Sequence, residues 1–399
     1  MRRAFFLPLL VALYGPLAAQ QPVTRDQAVA AALARGGRAA LGRADTAAAA
    51  GVARSARAFP NPTLVATYTK DAPQHHAVVD LPLDLPWLRA ARIGAAEAAR
   101  DAARYDFAFT RAAIRFDVET TYTRALAAAA HARLSRRTAQ DADSLLTMAR
   151  LRREVGDVSE LDVRLAAVNA GQLENAAVDD SLAAIDAVLA VQLAMGLPAA
   201  EPTIALADSL VPPAPGDSAP APPGAPLPVA AAAAAVRSQE RALTLVHRSL
   251  FAPSFEVGVE AQDPSDPTRG LLPTFGISLP LPLFNWSGGE AAQAAAARDR
   301  ARAELELVRR ETVADLARAQ RELAAARARV RRDQEILASA DRVAAMSLQA
   351  YAEGAVALAN VLEAHRNARE ALGRYIDDLA AAAAAAATLR LLTTPADQP

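Results

Sequence analysis

The residues that could do chemistry are few, and their spacing keeps them apart. His75-His76 is the only adjacent histidine pair. Two imidazoles could touch a transition metal, but neighbours on a strand face opposite sides and two ligands fall short of a zinc site. The pair reads as the end of a loop. His131, His247 and His365 stand alone, and the four methionines form no thioether cluster for copper. Gly288-Gly289 is followed by no P-loop lysine, because the chain's single lysine is Lys70. The absence of cysteine removes disulfides, thiolate metal sites and a cysteine nucleophile. No hydrolase triad assembles. The sequence predicts no catalytic residue, no bound metal and no cofactor, so the function must lie in the elements themselves.

Those elements are built mostly from alanine. Of 399 residues 52% are hydrophobic but only 5% aromatic, so large side chains to fill a broad core are scarce. Alanine favours helices and lets them approach closely, which suits long helix-on-helix seams. The 43 basic and 44 acidic residues are interspersed, giving net charge −1 and no basic patch for nucleic acid. At the N-terminus Arg2-Arg3, the apolar stretch Phe5 to Leu13 and Leu17-Ala18-Ala19 predict a secretory signal peptide over residues 1–19. No later segment is apolar enough for a spanning helix.

The chain is written twice. Leu81-Pro82-Leu83-Asp84-Leu85 pairs with Leu279-Pro280-Leu281-Pro282-Leu283, and Gly156 with Gly354 at the same spacing. The first copy spans 20–197: a helix, a β-hairpin at 63–84, a long helix at 88–153, a turn and a helix at 159–196. A connector with ten prolines occupies 198–228. The second copy, 229–392, repeats the order with a hairpin at 254–283, a long helix at 289–352 and a helix at 357–392, before a tail at 393–399. Each proline-free helix would approach about 100 Å at 1.5 Å per residue. In the second, Leu316, Leu323, Val330 and Leu337 recur every seven residues beside Ala319, Ala326 and Ala340, a coiled-coil seam. Each long helix stops at a glycine, and Ser159 is placed to cap the helix returning from the first.

The strands decide the class. Phe255, Val257, Val259 and Ala261 alternate with Ser254, Glu256, Gly258 and Glu260, and Phe275, Ile277 and Leu279 alternate with Thr274, Gly276 and Ser278. Leu64, Ala66 and Tyr68, then Ala77, Val79, Leu81 and Leu83, make a weaker first hairpin. This length and alternation suit a bilayer, apolar face to lipid and polar face to a lumen. Four strands cannot close a barrel and open edges are not tolerated in lipid, so at least two chains must share one.

In this order the residues resemble the TolC-type outer-membrane efflux family, including its heavy-metal branch. The resemblance rests on Asp26-Gln27-Ala28-Val29 before an alanine-rich helix, Pro60-Asn61-Pro62 before the first strand, the run Leu279–Phe284 with Asn285-Trp286, and both glycine turns. It implies a mainly α fold whose very long coiled-coil helices form a periplasmic α-barrel. The two β-hairpins, four strands per chain, would join those of two other copies in a trimeric outer-membrane β-barrel. It implies a passive, non-enzymatic exit duct for metal ions or drugs, spanning from the outer membrane into the periplasm of a Gram-negative envelope. Its partners would be a periplasmic adaptor (membrane fusion protein), an inner-membrane pump of the RND type and outer-membrane lipid. No lipid anchor is expected without a cysteine.

The resemblance also assigns residues. A periplasmic constriction would use Asn360 and Glu363, three apart on one helix face, with Asn360 departing from the family's acidic pattern. A gate link would join Asp162 and Tyr351, weakened because the basic residue that sometimes bridges them is replaced by Val356. Adaptor contact would fall on Gly156, Asp157, Val158, Gly354, Ala355 and Val356. The rival class is a secreted coiled-coil scaffold or periplasmic adaptor without a membrane barrel, which would not need two bilayer-length hairpins.

Overall fold

Thirteen elements follow one another in the computed structural model, which describes residues 20–70, 75–214, 224–249, 253–261, 272–279 and 286–396. The expected signal peptide, the middle of the connector, much of the second hairpin's loop and most of Leu279–Phe284 lie outside the described residues. The elements are β1 (Gln21–Val23), α1 (Arg25–Arg35), α2 (Gly37–Arg57), β2 (Thr63–Tyr68), β3 (His75–Pro82), α3 (Pro86–Glu154), α4 (Glu160–Ala194), β4 (Ile204–Leu206), α5 (Leu227–Ser249), β5 (Ser254–Ala261), β6 (Leu272–Ser278), α6 (Gly288–Ala352) and α7 (Leu358–Thr393). Helix α3 runs 69 residues and α6 runs 65. Pro86 opens α3, where a missing N–H costs nothing. The first alanine-rich helix is broken at Gly36, whose ψ of 140° is extended. No helix among the described residues is long and apolar enough to cross a membrane.

The chain divides into two compact units. One holds a four-stranded antiparallel sheet in the order β2-β3-β5-β6. Its register carries the sequence alternation across every strand. Leu64 faces Val79, which faces Val257, which faces Phe275; Leu81 faces Phe255, which faces Ile277. Side chains on one strand alternate between faces, so these residues make a continuous apolar row. Leu64, Phe275 and Ile277 are 67%, 72% and 72% exposed. The opposite face carries Thr63, Thr67, Asp80, Ser254, Glu256, Thr274 and Ser278, with Val65, Val78 and Pro82 as apolar exceptions. Strands β2 and β6 each have one unpaired edge.

Where the sheet meets the helices, the Asp84 side chain, 2% exposed, pairs with Arg89 at 2.7 Å and Arg92 at 2.9 Å. The same arginines donate to the carbonyls of Arg57, Ala56 and Ala58 at the end of α2, and Arg89 lies over the Phe59 ring. One carboxylate thereby holds the end of α2 against the start of α3. Also in this unit, Leu323 and Ala319 of α6 bury against Ala386 and Leu389 of α7.

The other unit has its own seam between these helices, Ala326 and Val330 against Leu379 and Ala382. The connector contributes β4, which pairs in parallel with β1. Two buried side chains hold this short pair. Gln192 donates to the carbonyls of Pro198 and Glu201 and accepts from the amides of Thr203 and Ile204. The Tyr122 hydroxyl donates to the Val23 carbonyl at 2.7 Å and accepts from the Asp208 amide. Buried polar groups fully satisfied in this way fix a unique arrangement.

Candidate functional site at the paired helix turns

Both glycine turns are built alike. Gly156 has φ +81° and Gly354 φ +79°, a left-handed conformation that costs little only for glycine. The Gly156 amide bonds the Arg153 carbonyl and the Asp157 amide the Arg152 carbonyl; Gly354 and Ala355 bond Tyr351 and Ala350 in the same pattern. This is the Schellman arrangement, which satisfies the last carbonyls of each long helix.

The helices leaving the turns differ. Ser159 caps α4 by a reciprocal box: its hydroxyl accepts from the Asp162 amide, while the Asp162 carboxylate accepts from the Ser159 amide at 3.1 Å. The corresponding positions before α7 are Ala357 and Asn360. Alanine has no side-chain acceptor, so the α7 amides lack that cap.

The turns are joined by Arg152, in the last turn of α3. Its guanidinium pairs with Asp157 at 2.5 Å, donates to the Tyr351 carbonyl at 2.5 Å and lies 4.6 Å from the centre of the Tyr351 ring. Tyr351 is 2% exposed and packs with Leu145, Leu146 and Ala149 of α3, Ala166 of α4, and Leu358 and Val361 of α7. Its buried hydroxyl makes no hydrogen bond. Burial pushes the Tyr351 phenol up, and the Arg152 cation opposes that without reversing it. The side-chain bond to Asp157 pushes the Arg152 guanidinium up, so this cation is permanent at any physiological pH.

The structure thus brings together Tyr351, Asp157 and both glycine turns, through a residue the sequence reading did not name. A basic residue in the last turn before a C-terminal glycine was the available signal, since such side chains reach helix-end carbonyls. Asp162 is committed to the Ser159 cap. Val158 and Val356 are half-buried, whereas Ala355, Asn360 and Glu363 are exposed. Glu363 pairs with Arg366 at 2.7 Å and begins a ladder of charges through Arg366, Glu370 and Arg374 along α7. His75 packs beside the Tyr68 ring and His76 lies near the Thr69 hydroxyl. Among the described residues no three histidines or carboxylates gather to hold a metal.

Residues 228–394 match the outer membrane efflux protein family. The match falls on the second copy of the repeat. A relative is the cobalt-zinc-cadmium resistance protein CzcC of Cupriavidus metallidurans, 27% identical over 346 residues, 84% of this chain and 81% of CzcC. Among solved structures the fold is similar to the outer membrane protein VceC of Vibrio cholerae, with a TM-score of 0.75, 15% identity, and coverage of 94% of this chain and 97% of VceC. It is similar also to the Campylobacter jejuni outer membrane channel CmeC, with a TM-score of 0.76, 14% identity, and coverage of 93% and 86%. The fold is thus that of outer-membrane channels. The scaffold and adaptor alternatives fall away. Family members work with an adaptor and an inner-membrane pump.

Proposed function

We propose that three copies of this chain form the exit duct of a tripartite system that expels divalent metal cations. The carrying observation is the sheet: an exposed apolar row across four strands and two unpaired edges, β2 and β6. Edge pairing between copies, β6 to β2, removes every open edge and leaves the apolar row to lipid. The metal cargo is supported by the likeness to CzcC, and an RND-type pump with its adaptor would supply energy and docking. The two turns form the inner end of the duct. Asp157, Ala355 and the backbone around Gly156 and Gly354 offer the adaptor its contact, with Val158 and Val356 packed behind. The link between turns runs through Arg152, with Tyr351 as its platform and Asp162 holding α4 in place. Asn360 and Glu363 line the constriction.

Purified full-length chain in a planar bilayer is expected to migrate as a heat-modifiable trimer and to conduct ions. A non-conducting monomer would sink the duct. Deletion of the chain from its host is expected to raise sensitivity to cobalt, zinc and cadmium; sensitivity to organic antibiotics alone would move the cargo to drugs.

A further inference from the structure

Both tryptophans of the chain lie at one boundary. By register, the first residue of β2, the last of β3, the first of β5 and the last of β6 fall together at one end of the sheet. Trp87 is the second residue of α3, just beyond that end, and Trp286 precedes α6. They are 53% and 64% exposed, and Phe59, beside the start of β2, is 72% exposed. Burying none of these rings in protein is a large loss for a chain so poor in aromatics, unless another apolar medium receives them. The exposed apolar row of the sheet ends where they begin, so they continue a surface already assigned to lipid. An indole at that level sits in the headgroup region, ring toward the chains and N–H toward water.

The charge beside Trp87 is unbalanced. Arg57 is paired with Glu97, and Arg89 with Arg92 shares the single carboxylate of Asp84. Arg248, in the last turn of α5, is exposed and donates to the Trp87 carbonyl at 3.2 Å. That uses one of its five donors, and no carboxylate among the described residues pairs with it. A guanidinium fork beside an interfacial indole presents the geometry that a phosphodiester accepts. Trp286 has no comparable neighbour on the helix that follows it, whose first basic residue is Arg298.

We propose that Trp87 and Arg248 form a headgroup site for an acidic glycerophospholipid of the periplasmic leaflet. Arg248 holds the phosphate and Trp87 packs on the glycerol and upper chains. The excess cation favours an anionic lipid over a zwitterionic one, and the site fixes the depth of the barrel at one point per chain. The proposal rests on the sheet lying in the membrane.

The test uses the full-length chain in phosphatidylcholine vesicles with and without phosphatidylglycerol. Trp286→Phe leaves Trp87 as the sole reporter and Trp87→Phe leaves Trp286. Nitroxide lipids labelled at the headgroup or at the chain end read depth. Both tryptophans are expected to be quenched more by the shallow label. Phosphatidylglycerol is expected to blue-shift Trp87 emission and leave Trp286 unchanged. Arg248→Gln is expected to weaken that lipid response about fivefold, the attraction of one basic residue, and Arg248→Lys to restore part of it. A Trp87 response that survives Arg248→Gln overturns the site, and so does an equal response to inorganic phosphate in detergent. If neither label quenches either tryptophan, the membrane sheet fails instead.

Discussion

Arg152 and Tyr351 stand 199 residues apart in sequence and meet at 2.5 Å, guanidinium to carbonyl, with the same cation over the tyrosine ring. The contact joins the ends of the two long helices. Arg152→Ala removes it and frees Asp157, and the expected outcome is a larger resting conductance with the trimer intact. A trimer whose conductance is unchanged would show that Arg152 does not close the duct.

Tyr351→Phe separates the ring from the hydroxyl. The phenol oxygen is buried without a partner, so its loss is expected to be neutral or to stabilise by about 1 kcal/mol. The ring keeps its place under Arg152, and conductance should not change. A marked loss of stability in chemical denaturation would mean that the hydroxyl is bonded within the assembled trimer.

Asp84 answers to two arginines that also hold the end of α2. Asp84→Ala is expected to destabilise by about 2 kcal/mol, because the arginines keep partial access to water. Arg89→Ala alone should cost less, since Arg92 remains. The comparison is read from urea midpoints in detergent, and equal midpoints for wild type and Asp84→Ala would contradict the clamp.

Asp333 supplies a pH dependence. Burial and the adjacent Asp378 carboxylate hold the Asp333 carboxyl above its ordinary 3.8, against the opposing charges of Arg332 and Arg329. The folded chain therefore keeps a proton that the unfolded chain has released. The stabilisation is complete below 3.8 and is lost as pH rises through the raised value. Melting temperature is expected to fall across that window in the wild type and to vary less in Asp333→Asn. Parallel curves would remove Asp333 as the cause.

Glu363 carries a built-in counter-charge in Arg366, 2.7 Å away. Arg366→Gln is expected to strengthen block of the open channel by divalent cations, and Glu363→Gln to weaken it. Identical block in wild type and both variants would place the constriction elsewhere.

The parts legible in the sequence were those written in local periodicity. Phe255 to Ala261 alternates visibly because its apolar side chains share one face of the sheet, and the heptad through Leu323 and Val330 is visible because each of them packs on α7. Gly156 and Gly354 announced the turns because few other residues adopt that φ. Contacts between distant residues left no such trace. Nothing around Gln192 indicates that it will satisfy four backbone groups. Strands β1 and β4, three residues each, are too short to alternate. The family resemblance puts the bridging cation after the second turn, at Val356, whereas in the fold it comes from Arg152, on the helix before the first.

The reciprocal cap of Ser159 and Asp162, and the alanine standing in its place before α7, make the two turns unequally firm. A cap of this kind is worth about 1 kcal/mol, so the first turn of α7 unwinds more readily than that of α4. In the proposed duct, widening of the inner mouth is expected to begin with fraying of the first turn of α7 while that of α4 stays wound.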